Sequence, residues 1–510
     1  MVYSARAVLP RAHRTVCSAW FATLTDGRLI SNKSVGATAG PALSRCRSAA
    51  RCGLPFTIGL ILALALEGLV PRRAAAQFNV GGVYIDGEGM LHETAVVDKP
   101  GRVKAARNAA RELSDQIDVN VKSALRKVSL ARLEKAVAAL HADGKPVPVE
   151  MRYLAGLESV RYLFLYPAEN DVVVAGPAEA WEQLPSGDIV GCMSKHPVLH
   201  LDDLATALRF AYSANARQLF LGCSIEPTDS GLLKYQQYMR SVGGAIDATL
   251  VDAIGRGMEQ ALGPQAVRLY GVEPTSRFAL KLVASDYRLK RIAMGLDAAP
   301  VKRLASYLDL LARQTGSTPQ SQHRFWFVGH YDAIRHSPDK LAFEFEGQGV
   351  RVQTAPNYRF QNAPAGIKPS KTAVQFADNF TRQFPAAAAR VPVLNELKNL
   401  VSLALAAVLI EQQTHAETGE ALPPGWRPGH LLDAAACPIE QCSPPKQTPT
   451  LATVRRTGEG GWMFSVSGGV EINPTELASP DRFKLADDPK LTTREAASRP
   501  PPDNDRWWWD

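Results

Sequence analysis

Two stretches of this chain repeat one another. Leu219 to Lys234 reads LFLGCSIEPTDSGLLK, and 47 residues later Ala266 to Lys281 reads AVRLYGVEPTSRFALK. Each gives an apolar strand, then Ile/Val-Glu-Pro-Thr, then a helix carrying Leu-Lys. Proline cannot donate to a ladder, so Pro227 and Pro274 mark strand ends, and the hydroxyls of Thr228 and Thr275 suit helix N-caps. Between the copies Ile246, Leu250, Ile254 and Met258 recur every fourth residue, the spacing of a further helix. Strand, helices, strand, helix predicts an α/β layer with parallel strands and right-handed crossovers. Glu226 and Glu273 then fall at the carboxyl ends of their strands, the edge where open α/β sheets take up ligands. Two carboxylates there suit a cation or an acid-base pair, and equally each complements its own helix dipole.

The second copy runs into a helix over about 277–296 that is apolar on two sides. Phe278, Leu282, Leu289 and Ile292 share one arc and Leu280, Val283, Tyr287 and Met294 another, so the helix is largely buried. Arg277, Lys281, Arg288 and Arg291 form a basic stripe between the arcs, with Asp286 and Lys290 spaced for an i,i+4 pair. Such a stripe can grip phosphate or an acidic polymer, or pair with neighbouring acids.

The remaining pattern gives an α/β fold with a mixed sheet, the duplicated strand-helix unit (219–234 and 266–281), an N-terminal helical arm, C-terminal helices and a disordered tail. By composition the chain divides into a leader and signal at 1–76, a short hairpin and helical arm at 77–146, an α/β core at 147–360, helices at 361–414 and a tail at 415–510. In the arm, Val103, Ala106, Ala110 and Leu113 keep helical spacing, and Ser129 suits the cap of a second helix ended by Asp143-Gly144-Lys145-Pro146. Tyr162–Tyr166 and Val172–Ala175 predict a hairpin, a strand follows near Val190, and a helix begins near Asp202, where Asp202 and Asp203 complement its dipole. LAFEFEGQGVRVQT alternates around Gly347-Gln348-Gly349 and predicts a second hairpin. VPVLNELKNLVSLALAAVLIEQQ reads as a core helix. The tail is rich in Pro and Thr and ends in Trp507-Trp508-Trp509, a partner contact or a loose end.

The apolar run Leu54–Leu66 is too short to span a bilayer, which takes about 20 residues, yet it suits the core of a secretory signal. Arg45, Arg47 and Arg51 precede it and Ala74-Ala75-Ala76 offers a cleavage site before Gln77. The long leader fits a start codon placed too early, upstream of this secretory signal; an organelle transit peptide and an uncleaved anchor are the alternatives. The chain's net charge of +8 resides there: residues 1–76 hold ten of the 58 basic and two of the 50 acidic residues, leaving 48 of each. A balanced body has no long-range field to gather nucleic acid. Export also leaves an even set of cysteines, Cys192, Cys223, Cys437 and Cys442, for which chain order suggests the disulfides Cys192–Cys223 and Cys437–Cys442; buried free thiols are the alternative for the first pair.

Chemistry is sparse by motif. GxSxG, HExxH, Walker and GxGxxG patterns and CxxC pairs are missing, which argues against common hydrolases, zinc peptidases, ATPases and dehydrogenases. No metal ligand set or cofactor is expected. His323, His330, Asp332 and His336 cluster in sequence, and on a strand His330 and Asp332 would share a face. They and the two glutamates are the weak catalytic candidates.

The stretches YLAGLESVRYLFLYPAENDVVVAGPAEAW, HPVLHLDDLATALR, CSIEPTDSGL and VASDYRLKRIAMGLDAAPVKRLASYLDLL resemble a planctomycete-type family of secreted proteins that share a domain of unknown function. The resemblance covers about 81–410 and implies export; it assigns no catalytic residue. The reading is an exported protein, secreted or periplasmic, that binds an envelope or extracellular protein or an acidic polymer without catalysis. A secreted hydrolase using Glu226, Glu273 or the His330/Asp332 pair is the alternative, and it requires those groups to converge on one pocket.

Overall fold

A computed structural model describes residues 83–86, 88–93, 119–214, 216, 220–243, 249–313, 323–356, 368–414, 425–453, 455–456, 462–463, 466–486, 489–502 and 505–510. The leader and the first helix of the expected arm lie outside them. Beyond a small hairpin, Val83–Ile85 with Leu91–Glu93, the chain runs through β1 (Ser123–Ser129), α1 (Leu130–Ala142), β2 (Tyr162–Tyr166), β3 (Asp171–Ala178), α2 (Leu201–Ala211), β4 (Leu221–Pro227), α3 (Asp229–Val242), α4 (Val251–Leu262), β5 (Gln265–Tyr270) and α5 (Arg277–Ala293). It continues with α6 (Tyr307–Ala312), β6 (His323–His330), β7 (Ala333–His336), β8 (Ala342–Glu346), β9 (Gly349–Pro356), α7 (Lys371–Ala388), α8 (Pro392–Thr414), β10 (Gln447–Thr448), β11 (Ser467–Ile472), β12 (Phe483–Leu485), α9 (Lys490–Ala497) and β13 (Trp508–Trp509).

Two mixed sheets result, with strand orders β9-β6-β11-β4-β5-β10 and β12-β7-β8-β2-β3-β1-β13. The fold is α/β. Among the described strands of these two sheets, β6 with β11 and β7 with β12 run parallel and the other pairs antiparallel. The two copies of the repeat, β4 and β5, lie side by side but antiparallel, Cys223 facing Leu269 and Glu226 facing Ala266. The expected parallel crossover fails on parity. One helix between strands returns the chain to its starting end, whereas the packed pair α3 and α4 makes two passes and sends β5 back the other way. Ile254 and Met258 of α4 meet Tyr235, Tyr238 and Met239 of α3 in a small cluster of their own. Thr228 caps α3 through Gly231 N at 3.0 Å as predicted. In the second copy Ser276, not Thr275, is the cap, accepting from Ala279 N at 3.1 Å.

The run YLFLY explains β2. It is buried on both faces, with Leu163 and Leu165 in the main core and Tyr162, Phe164 and Tyr166 in an outer layer covered by Leu491 of α9. β2 and β3 form the predicted hairpin. The second expected hairpin does not form: β8 joins β2 in the seven-stranded sheet while β9 joins β6 in the other. Gly347 and Gly349 turn that corner with φ of 120° and 80°, a region open to glycine. α8 is nearly all buried, as its apolar middle predicted; α1 and its Ser129 cap also form as expected, though Leu130, Leu133 and Val137 pack into the core rather than standing out as an arm.

The tail corrects the sequence reading most. Pro- and Thr-rich composition suggested a mobile end, yet β10, β11, β12 and β13 all belong to the two sheets and β11 lies in the middle of one. Gly468 lets it approach α5, since a Cβ there would stand 2.3 Å from Asp286 Oδ1. At the end of the chain Asp510 accepts two bonds from the buried Arg126, at 2.9 and 3.0 Å, while Arg126 also donates to the carbonyls of Val119, Val121 and Ala155. The same guanidinium sits 4.5 Å from the centre of the Trp508 ring. Trp508→Ala is expected to lower the unfolding free energy by about 3–5 kcal/mol in urea titration, and deletion of 507–510 by at least as much. Midpoints equal to the parent would mean the end of the chain stands apart from the sheet.

Candidate functional site

The antiparallel repeat separates the two glutamates. Glu226 ends β4 beside the first residues of β5, whereas Glu273 follows the far end of β5, beyond Tyr270. Glu226 pairs with Arg268 at 3.7 Å, and Glu273 accepts from the Thr275 hydroxyl at 3.0 Å. His330 and Asp332 sit where the chain passes from β6 to β7, with Nε2 and Oδ1 3.6 Å apart, longer than a hydrogen bond. Burial, followed by the Arg351 charge, holds His330 below the usual imidazole range. This corner shares the sheet end of Glu273 but is separated from β5 by β11 and β4, three strand spacings or about 14 Å. His323 is at the opposite end of β6, fixed between the Tyr307 hydroxyl and Ser370 N at 3.0 Å each. His336 Nδ1 lies 2.7 Å from the Ser337 carbonyl. These candidates do not meet.

The basic stripe is also not a free face. Arg277 is bound to both Asp203 and Glu396, and Lys281 to Asp188 at 2.7 Å and again to Glu396. Arg288 and Arg291 both reach Asp297, at 2.7 and 2.9 Å. The Asp286–Lys290 pair is buried, at 3.4 Å, and Lys290 Nζ donates to the Ile225 carbonyl. Asp203 thus has a larger role than dipole compensation. Three buried carboxylates face two cations, and burial pushes Asp203 up to about 6 despite the pull of Arg277. Burial likewise raises Glu396; at Asp188 burial is the largest single effect, yet Lys281, Ser186 and Arg277 together overcome it and the carboxyl is lowered. The neighbouring His200 is held well below the ordinary imidazole range, first by burial and then by the two cations. An apolar helix with cations at i and i+4 was the available signal for internal acids; which acids answer it was not readable locally.

None of the four described cysteines forms a disulfide, contrary to the pairings expected from chain order. Cys223 is buried in β4 between Leu269 and Val470, and burial pushes its thiol far above the ordinary value. Cys192 follows a separate hairpin, Trp181–Gln183 with Ile189–Gly191. Cys442 N donates to Thr275 O. Cys437 belongs to a set that sequence spacing did not reveal: His141, His430 and Cys437 each place a potential ligand atom within 4.8 Å of the other two.

A different place gathers positive charge. α9 covers the outer face of the seven-stranded sheet, leaving a cleft of about 390 Å³ against β1 lined by Lys127, Lys490, Arg494, Thr493, Ser498 and Leu125, together with Pro489 and Ala497. The size is that of a small-ligand site. Arg494 stacks over Tyr162, 4.6 Å from the ring centre. Lys127 is buried, which lowers its pKa against the weaker opposite pull of Asp510. The Ser498 hydroxyl is buried without a hydrogen-bond partner among the described residues.

Residues 223–307 match a family model described as protein of unknown function (DUF1598). The match covers 85 of the 510 residues and describes that segment alone. No curated protein and no solved structure matches the chain. The matched segment runs from β4 to the first residue of α6 and contains Arg277, Lys281, Asp286 and Lys290; Asp188, Asp203 and Glu396 lie outside it.

The internal charges predict a pH dependence. Between about pH 4 and 6 the folded chain keeps a proton on Asp203 that the unfolded chain, with the ordinary value of 3.8, gives up. This group therefore favours the fold most below that window, and its contribution is lost as pH rises through 6. Asp203→Asn should be less stable overall and change less between pH 4 and 7 than the parent in denaturant titrations. Parallel pH profiles would remove Asp203 from this account.

Proposed function

We propose that this chain is an exported, non-catalytic protein that holds an anionic group of an envelope or extracellular polymer in the cleft between β1 and α9. One observation carries the reading: Lys127, Lys490 and Arg494 line that cleft with no carboxylate among its lining residues. Residues 77–510 carry 48 charges of each sign, so attraction comes from this short-range site rather than from overall charge. Lys127 has lost much of its water, and a desolvated ammonium gains from a bound anion what it lacks in hydration. Thr493 and the orphan Ser498 hydroxyl add donors suited to carboxylate or phosphate oxygens. Export rests on the leader, with its arginines, apolar run and Ala-rich cleavage site. A hydrolase reading needs the carboxylates and the His330/Asp332 pair in one place, and their separation favours binding.

The test is calorimetric titration of the purified protein with poly-glutamate and with pyrophosphate at low and physiological salt. Saturable, salt-sensitive binding is expected, weakened at least tenfold in a Lys490→Glu/Arg494→Glu variant, since each charge-assisted contact contributes about 1.5–3 kcal/mol. Affinity should also fall at alkaline pH before an ordinary lysine loses its proton, and Lys127→Met should remove that fall. No saturable binding to either probe, or equal binding by the charge-reversed variant, would overturn the proposal.

A further inference from the structure

We propose that His141, His430 and Cys437 form a binding site for a zinc ion that fastens the irregular segment 425–446 to α1. Residues 425–446 cross the surface between α8 and β10 without helix or strand. The segment brings two donors to a third from a residue almost three hundred positions away. His141 Nδ1 and His430 Nε2 are 2.9 Å apart, and a ligand atom of Cys437 lies within 4.8 Å of both. Tetrahedral zinc, with Zn–N of about 2.0 Å and Zn–S of about 2.3 Å, sets donor separations of about 3.3–3.6 Å. A small opening of the two rings meets that spacing.

The chemistry of the donors selects the ion. Two imidazoles and one thiolate are the mixed nitrogen and sulfur set of zinc sites, whereas calcium and magnesium take oxygen ligands, of which this set has none. Three protein donors leave a fourth position for water or another ligand. Both histidines are half-buried and Cys437 is buried, so the sulfur lies inward and the imidazoles outward.

The surroundings hold the donors in place, as the residues behind a metal site do. Glu134 and His141 are two helical turns apart on one face of α1. The Glu134 carboxylate accepts from Trp426 Nε1 at 3.1 Å, Gly429 N at 2.8 Å and Leu431 N at 2.9 Å, so it grips the chain on both sides of His430. Arg209 of α2 donates to the carbonyls of Leu431 and Cys437. Asp433 accepts from Ala435 N and Ala436 N, and its carbonyl accepts from Cys437 N at 2.8 Å, forming the turn that presents the thiol. Cys437 is then a ligand rather than half of a bond with Cys442.

The purified chain would be loaded with zinc, dialysed against metal-free buffer and assayed by elemental analysis and chelator competition. One zinc per chain is expected. His430→Ala and Cys437→Ser should each bind at least tenfold more weakly, Glu134→Gln about tenfold, and Cys442→Ser like the parent. Cobalt loading should give a thiolate-to-metal charge-transfer band that Cys437→Ser loses and Cys442→Ser keeps. Should a variant fail to fold, X-ray absorption of the zinc-loaded parent decides, with nitrogen at about 2.0 Å and one sulfur at about 2.3 Å expected. Substoichiometric zinc, unchanged affinity in the ligand variants, an all-oxygen shell, or uptake of copper with zinc excluded would each overturn the assignment.

Discussion

The burial of charge along α5 is the constraint on which the rest of the fold depends. A helix wrapped by apolar contacts on two sides carries Arg277, Lys281, Asp286 and Lys290 into the interior with it. Removing an ammonium or guanidinium from water costs several kcal/mol unless opposite charge and hydrogen bonds replace the water. Apart from the Asp286–Lys290 pair within the helix, the replacements come from elsewhere in the sequence. Asp188 lies in the turn of the Trp181–Gln183/Ile189–Gly191 hairpin, Asp203 belongs to α2, Glu396 to α8, and the carbonyl accepting from Lys290 to β4. These partners fix which segments can surround α5, so the network contributes more to the choice of one arrangement than to net stability.

The same logic extends to the end of the chain. Arg126 has its five donors matched by Asp510 and three backbone carbonyls, two of them, Val119 and Val121, just before β1. β11 fills the gap between β6 and β4, without which both would present bare edges to solvent. Neither sheet is complete until residues beyond 466 arrive. Such pairings between distant parts of the sequence carry a large loop-closure cost, which places the assembly among slowly folding topologies.

The parts of this architecture legible in the sequence were those decided locally. YLFLY had to be a strand buried on two faces, Ser129 and Thr228 had the side chains and positions of caps, and the two-sided apolar pattern of α5 announced its burial. What was not legible depended on counting or on distance. Both helices between β4 and β5 were readable, but that they pack as an antiparallel pair and so reverse β5 was not, and the hairpin at 341–354 was read from alternation that serves equally well when its strands enter different sheets. The tail misled because Pro and Thr content reports average solvation, whereas four short strands need only a few residues each with the right neighbours. Thr275 lost the cap to Ser276 because the helix begins one residue later than the repeat implies.

Both places where this chain concentrates ligand chemistry draw on that tail. His430 and Cys437 approach α1, while Lys490 and Arg494 approach β1, so each set joins one early residue to two late ones. The segment that matches the family model, 223–307, supplies none of these residues and does supply α5 with its buried ions. The matched segment thus describes the framework, and the donor sets are assembled around it by chain that composition alone would have dismissed. A motif search fails on such sites for a physical reason. Ligand spacing carries information only when one local element presents all the donors, and here long-range hydrogen bonds and packing against the sheet perform that task across several hundred residues.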